Sequence, residues 1–350
     1  MTPDDFLFRA STPDDLPAFE RIAAASAIGI TTLPADRAKL EAKLELSAQA
    51  FASPDDSSGE ETYLFVLEDT RTGEVVGTSG IAASAGFHDR FYSYRNEVIV
   101  HASQALGASN RVHTLHLCHD LTGVTLLTSF YIDPDYADTL APQLLSRARF
   151  LFIAEFAERF ADRIAAESPG LSDDNGRCPF WDAVGRRFFD MDYPSAEQLT
   201  GGRNKSFIAE LLPQAPIYVP LLPDEAQWAI GQLHPVGELP FAILQDEGFD
   251  SETYVDIFDG GPTVEARVAM VRSVAQSRRA TATEGAEPAG GWHLVANTRR
   301  GRFRALLCRA APVTGSVALE SRHRDMLEVT AGDPVRWAPL HLPEREGDAR

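Results

Sequence analysis

The chain has 350 residues, 44% of them hydrophobic and 9% aromatic, which supplies a sizeable core and argues against global disorder. With 51 Asp and Glu against 32 Lys and Arg, the formal net charge of −19 argues against a broad nucleic-acid surface or docking on an anionic membrane. The three cysteines lie far apart and are odd in number, the start MTPDDFLFRAS lacks a long apolar stretch, and no window approaches the roughly 18 apolar residues of a membrane span. A cytoplasmic protein of two or three domains is expected, at about 150 residues per domain.

Phe6–Arg9 alternates like a short strand, and Ser11-Thr-Pro-Asp-Asp15 reads as a helix start, with a hydroxyl cap, an early proline and first-turn acids. Leu16, Phe19, Ile22 and Ala23 follow at helical spacing, and a second helix over Ala35–Phe51 carries Leu40, Leu44 and Ala48 on one face. Ser53–Gly59 is loop by composition. Tyr63–Glu68, a turn at Asp69–Gly73 and Glu74–Ser79 form a hairpin. Strand-like runs recur at Glu97–Val100, Val112–Cys118 and Leu126–Ile132. After Pro142 a long helix is signalled by Leu144, Leu145, Ala148, Leu151, Phe152 and Phe156, with a strand at Ile164–Glu167. Helix, antiparallel strands, helix, strand is an α+β order, a sheet with helices layered on it.

Pro179–Phe188 and Leu239–Phe249 echo one another, each a short helix halted by glycine (Gly185, Gly248) and followed by aromatics, which suits a left-handed C-cap. Ala280–Gly291, small and turn-rich, is the best linker candidate. Beyond it, strand-like pieces at Trp292–Ala296, Arg302–Cys308, Ser316–Leu319 and Pro334–Ala338 predict a small, mostly β C-terminal module, with Glu344–Arg350 frayed.

Four groups of residues carry candidate chemistry. His113, His116 and His119 beside Cys118 are soft-metal ligand types, but on a strand His116 points away from the other two, so no metal is expected. His234 stands directly before Pro235, a position that avoids helix and displays a side chain from a bend; it is either a proton-transfer group or an ordinary loop histidine. Asp256 and Asp259, in Tyr254-Val-Asp-Ile-Phe-Asp-Gly-Gly-Pro262, either receive a guanidinium or ammonium, or build a turn at a strand end. Glu97, two residues after Arg95, is equally open.

Seven strings, in order, then resemble one family: Gly29–Pro34, Tyr63–Asp69, Phe91–Glu97, Val100–Ser103, Cys118–Gly123, Pro179–Trp181 and Tyr254–Pro262. The chain resembles the arginine N-succinyltransferases from about Phe6 to about Arg278, more loosely beyond. Phe87–Asn96 and Leu117–Gly123 look most like the alpha-subunit type, which pairs with a paralogous beta subunit. The resemblance implies a GNAT-like acyltransferase fold in two GNAT-like halves, 1–168 and 169–279, followed by residues 280–350 as linker and C-terminal module. It implies succinyl-CoA as co-substrate, and arginine or ornithine as the amine that is succinylated. By the same resemblance, Leu126–Ile132 is the splayed central strand that pairs with the pantetheine arm, with Phe130, Tyr131 and Ile132 at the cofactor. His234 matches the family's proton donor, and Glu97, Asp256 and Asp259 are candidate substrate residues.

One departure is clear. GNAT enzymes follow the central strand with a glycine-bearing loop whose backbone N–H groups cradle the CoA pyrophosphate at a helix start. Here Ala137–Pro142 has no glycine, and Asp133, Asp135 and Asp138 add negative charge. The chain is therefore either a catalytic subunit that anchors CoA elsewhere, or a non-catalytic subunit supporting the beta-type paralogue, with a homodimer as the other possible assembly.

Overall fold

The computed structural model describes residues 2–26, 33–53, 58–173, 175–200, 210–285, 290–310, 312 and 315–341. Strand β1 (Phe6–Ala10) is followed by helices α1 (Leu16–Ala25) and α2 (Arg37–Ala52). The turn Pro13–Asp15 that leads into α1 is closed by Asp15, whose carboxylate accepts the Thr12 N–H at 2.8 Å. Strands β2 (Thr62–Asp69) and β3 (Glu74–Ala82) form the expected hairpin, turning through Gly73 at φ +75°. Then come β4 (Ser93–Ser103), β5 (Ala108–Cys118), β6 (Thr125–Ile132), α3 (Ala141–Glu155) and β7 (Arg163–Glu167).

The next stretch holds α4 (Pro179–Ala183), α5 (Arg186–Phe189), α6 (Tyr193–Thr200), β8 (Ile217–Tyr218), α7 (Asp224–Ala229), α8 (Glu238–Asp246), β9 (Asp250–Val255), β10 (Pro262–Arg267) and α9 (Arg272–Gln276). The chain closes with β11 (Arg278–Glu284), β12 (Trp292–Asn297), β13 (Arg304–Arg309), β14 (Ser316–Leu319), α10 (Ser321–Leu327) and β15 (Pro334–Pro339).

The fold is α+β. All fifteen described strands join one sheet in the order β14-β11-β15-β12-β13-β1-β2-β3-β6-β7-β10-β9-β4-β5-β8. Among the described strands the parallel neighbours are β6 with β7, bridged by α3, and β11 with β14. Because β2 is covered on both faces, its Tyr63–Glu68 run is apolar without alternation. Tyr63, Phe65 and Leu67 join Phe8, Phe152 and Phe303 under α3, whereas Leu64 and Val66 meet Phe19 and Leu40 of α1 and α2.

Two local expectations are corrected. The supposed linker begins as strand β11, held in the sheet by β14 on one side and β15 on the other. Thr281, Ala282 and Thr283 have the composition of a linker, but pairing partners supplied from over thirty residues away make them strand. Gly185 is right-handed at φ −61°, so it is no left-handed cap; a Cβ there would lie 2.3 Å from the Trp181 ring, and that packing demands the glycine. Gly248, at φ +96°, does take the left-handed form. The long helix expected after Pro142 is α3, and it is buried almost all round, Arg147, Arg149 and Glu155 included. Residues 27–32, which hold most of the Gly29–Pro34 string, residues 54–57 and 286–289, and the Glu344–Arg350 tail lie outside the described residues. No described helix is long and apolar enough to cross a membrane.

Candidate active site

Strands β6 and β7 pair through Thr125↔Ile164, Leu126↔Ala165 and Leu127↔Ala166, and there their ladder stops. On its other side β6 stays paired with β3 as far as Ile132↔Gly77. The cause is Ser129, a non-glycine residue at φ +54°, where the register against β3 slips between Thr78 and Gly80. Such a bulge bends its strand away from one neighbour. It is pinned by the Thr78 hydroxyl, which donates to the Ser129 carbonyl at 3.0 Å, and the buried Lys43 ammonium donates to the Ser129 hydroxyl at 3.2 Å. Phe130, Tyr131 and Ile132 are left with an edge unpaired by β7. Phe130 and Ile132 lean on the α3 layer, Tyr131 on the α1/α2 layer.

The N-terminus of α3 is a poor anion cradle. The Ala141 N–H donates to the Thr139 hydroxyl at 3.1 Å, Pro142 has no N–H, and Leu144 already bonds the Leu140 carbonyl. Arg21 lies 3.6 Å from Asp133 at the head of this loop.

His234 belongs to the same end of the sheet. Its N–H donates to the carbonyl of Pro169, two residues past the end of β7, at 2.8 Å. Its ring Nδ1 accepts the Val236 N–H at 3.3 Å, which places the proton of the neutral ring on Nε2. Asp259, 5% exposed, holds the neighbouring backbone: its carboxylate accepts the Gly170 N–H at 2.7 Å and the Gly261 N–H at 2.8 Å. The two loops touch so closely that a Cβ on Gly261 would lie 2.3 Å from the Ser168 carbonyl. Asp256 accepts the Phe258 N–H at 2.6 Å and the Asp259 N–H at 3.3 Å. Both aspartates thus spend oxygens on turn backbone.

Glu97 is 38% exposed and pairs with Arg95; Arg95 also reaches Asp120 at 2.7 Å, and His116 Nε2 stands 3.4 Å from Glu97. Successive side chains alternate across β4, so Asn96 and Val98 face the other way. They line, with His113, Gly231, Ser251, Glu252 and Val255, a cleft of about 370 Å³. His119 instead sets its ring edge-on to Tyr92, so the three histidines diverge. Residues missed from sequence are Ser129, Lys43 and Arg149. The last two are cations within buried helix faces, a detectable signal once the burial of those faces is known.

Known proteins match this chain over nearly its whole length. A family model described as arginine N-succinyltransferase beta subunit matches residues 6–273, and one for that subunit's C-terminal domain matches 278–339. An arginine N-succinyltransferase subunit alpha of Pseudomonas aeruginosa is 48% identical over 94% of this chain and 98% of its own. An arginine N-succinyltransferase of Salmonella schwarzengrund is 41% identical over 95% of this chain and 96% of its own. The solved arginine/ornithine succinyltransferase subunit AI of Pseudomonas aeruginosa superposes with a TM-score of 0.88 at 45% identity, covering 97% of this chain and all of that one. The resemblance read from the strings is therefore the relationship found over nearly the whole length: the chain belongs to the arginine N-succinyltransferase family.

Proposed function

We propose that the chain acts, within a cytoplasmic subunit assembly, in transferring the succinyl group of succinyl-CoA to the α-amino group of L-arginine or L-ornithine in arginine catabolism. The observation that carries this reading is the free β6 edge at Phe130–Ile132, opened by the Ser129 bulge at the end of the sheet where His234 is tied to Pro169. The amide-bearing pantetheine arm is suited to such an edge, because it can pair with exposed backbone groups as an added strand does. The neutral amine attacks the thioester carbonyl, the tetrahedral oxyanion collapses, the C–S bond breaks and the nitrogen sheds its proton to water. His234 protonates the departing thiolate through Nε2 and regains its proton from water. Holding amine and thioester together supplies much of the rate, and no covalent enzyme intermediate is needed.

A second reading rests on the glycine-free start of α3. On it, this chain keeps the fold but supports or regulates a beta-type paralogue that binds CoA fully. The names of the Pseudomonas relatives, which are subunits, support an assembly in either case; a paralogous beta subunit is the favoured partner and a second copy the alternative. A thiol-release assay with succinyl-CoA and L-arginine, run with and without the beta-type chain, separates the readings. Arginine-dependent release that His234→Ala abolishes supports the first. Release by the assembly that is indifferent to His234→Ala supports the second, and no release in any combination rejects both.

A further inference from the structure

Arg149 is a buried cation without a counter-ion among the described residues. It is 2% exposed, and its hydrogen bonds stay on its own helix: Nε donates to the Ser146 carbonyl at 3.0 Å and Nη2 to the Ser146 hydroxyl at 2.9 Å. No carboxylate among the described residues pairs with it, and Nη1 finds no acceptor there. The contrast with its neighbour is sharp, since Arg147, equally buried, reaches both Asp246 and Glu247. Burial alone pushes the Arg149 pKa down to about 9, with no carboxylate to raise it. An uncompensated buried charge is a standing cost to the fold and asks for an anion from outside.

Its place names the anion. The guanidinium lies 5.6 Å from the centroid of the Phe130 ring, directly after the Ser129 bulge and at the free edge of β6. It stands eight residues into α3, about 12 Å along the axis from the helix start. That depth is remote from the helix start and level with Phe130, beside the β6 edge to which the proposed reading assigns the thioester. We infer that Arg149 binds the distal carboxylate of the acyl donor and so selects a dicarboxylic acyl-CoA over a neutral one. The planar guanidinium takes a carboxylate through two parallel hydrogen bonds. The inference rests on the succinyl-transfer reading above and adds to it the residue that reads the donor.

The test compares succinyl-CoA with butyryl-CoA, which has the same chain length and no terminal carboxylate, using the full chain together with its beta-type partner. The wild type should favour succinyl-CoA by at least 100-fold in kcat/KM. Arg149→Met should lower kcat/KM for succinyl-CoA by 10²–10³-fold, change butyryl-CoA less than threefold, and leave the KM for arginine unaltered. Arg149→Lys, which keeps the charge and loses the fork, should retain part of the preference. A wild type indifferent to the two donors overturns the inference without any variant, which covers a Met variant that fails to fold. An equal fall with both donors marks a structural arginine and also overturns it. So does a raised arginine KM with the donor preference intact, which would assign Arg149 to the acceptor's carboxylate. Absence of wild-type transfer from succinyl-CoA is the separate failure of the transfer reading.

Discussion

The main-chain N–H of His234 donates to the carbonyl of Pro169 at 2.8 Å, which ties the histidine to the end of β7 as well as to the turn that follows it. That bond is backbone to backbone and survives truncation of the ring. His234→Ala should therefore lower kcat by about 10²–10⁴-fold, with the KM values for succinyl-CoA and arginine nearly unchanged. The loss of stability should stay near 1 kcal/mol, because only the long Nδ1 bond to the Val236 N–H disappears. Kinetics and melting temperature measured on one preparation check both, and a large Tm drop with kcat intact would mark a packing histidine.

Asp259 separates support from contact. Its carboxylate holds the Gly170 and Gly261 N–H groups, and Gly170 follows the residue that anchors His234. Asp259→Ala strands two buried donors at about 1–3 kcal/mol each, so a stability loss of that order is expected by urea unfolding. At temperatures where the variant is folded, kcat should fall while the KM for arginine holds. A rise in arginine KM at unchanged stability would instead make Asp259 a substrate residue.

The charge pair at the α3–α8 junction is structural. Arg147 Nη1 meets Glu247 at 2.5 Å, and Glu247 also accepts the Ser273 N–H at 2.7 Å and the Ser273 hydroxyl at 2.8 Å. Arg147→Met leaves Glu247 charged and buried, and should cost about 3–5 kcal/mol in denaturant unfolding. The double variant Arg147→Met, Glu247→Met should recover part of that loss.

The start of α3 bears on cofactor affinity. With Ala141 committed to Thr139 and Pro142 lacking a donor, the isolated chain should bind CoA with a Kd above about 100 μM, or about −5.5 kcal/mol at best. Calorimetry returning low-micromolar affinity would show another anchor for the phosphates.

Acid should loosen the tie between the chain's two ends. The Thr2 N–H, with Arg322 of α10, holds the Asp5 pKa at about 2, below its ordinary value. The folded pKa is depressed, so its contribution is complete above about pH 4 and is lost as pH falls toward about 2. The Tm difference between wild type and Asp5→Asn should be largest near neutrality and close to zero at pH 2. A difference that is constant with pH would mean the carboxylate is not what matters.

Local pattern sufficed for much of this protein. Leu16, Phe19, Ile22 and Ala23 are the buried face of α1 as their spacing requires, and the Asp69–Gly73 turn sets the β2–β3 hairpin. His234 before Pro235 is held off the helix by proline geometry, and it caps the short turn that follows. Each of these is decided within a few residues, where sterics and periodicity act. Strand β6 was legible from its own strand-like run, and the resemblance implied a splayed backbone, but the bulge at Ser129 that opens it was not legible. At Ser129 the register against β3 shifts and the ladder with β7 ends, an arrangement of three strands that no single segment encodes. Linker-like residues of β11 became strand because β14 and β15 arrived from further along the chain. The burial that isolates Arg149 is likewise tertiary. A helix sequence states which residues share a face, but only packing against the sheet and α8 decides that nearly every face of α3 is covered, with no carboxylate among the described residues facing that arginine.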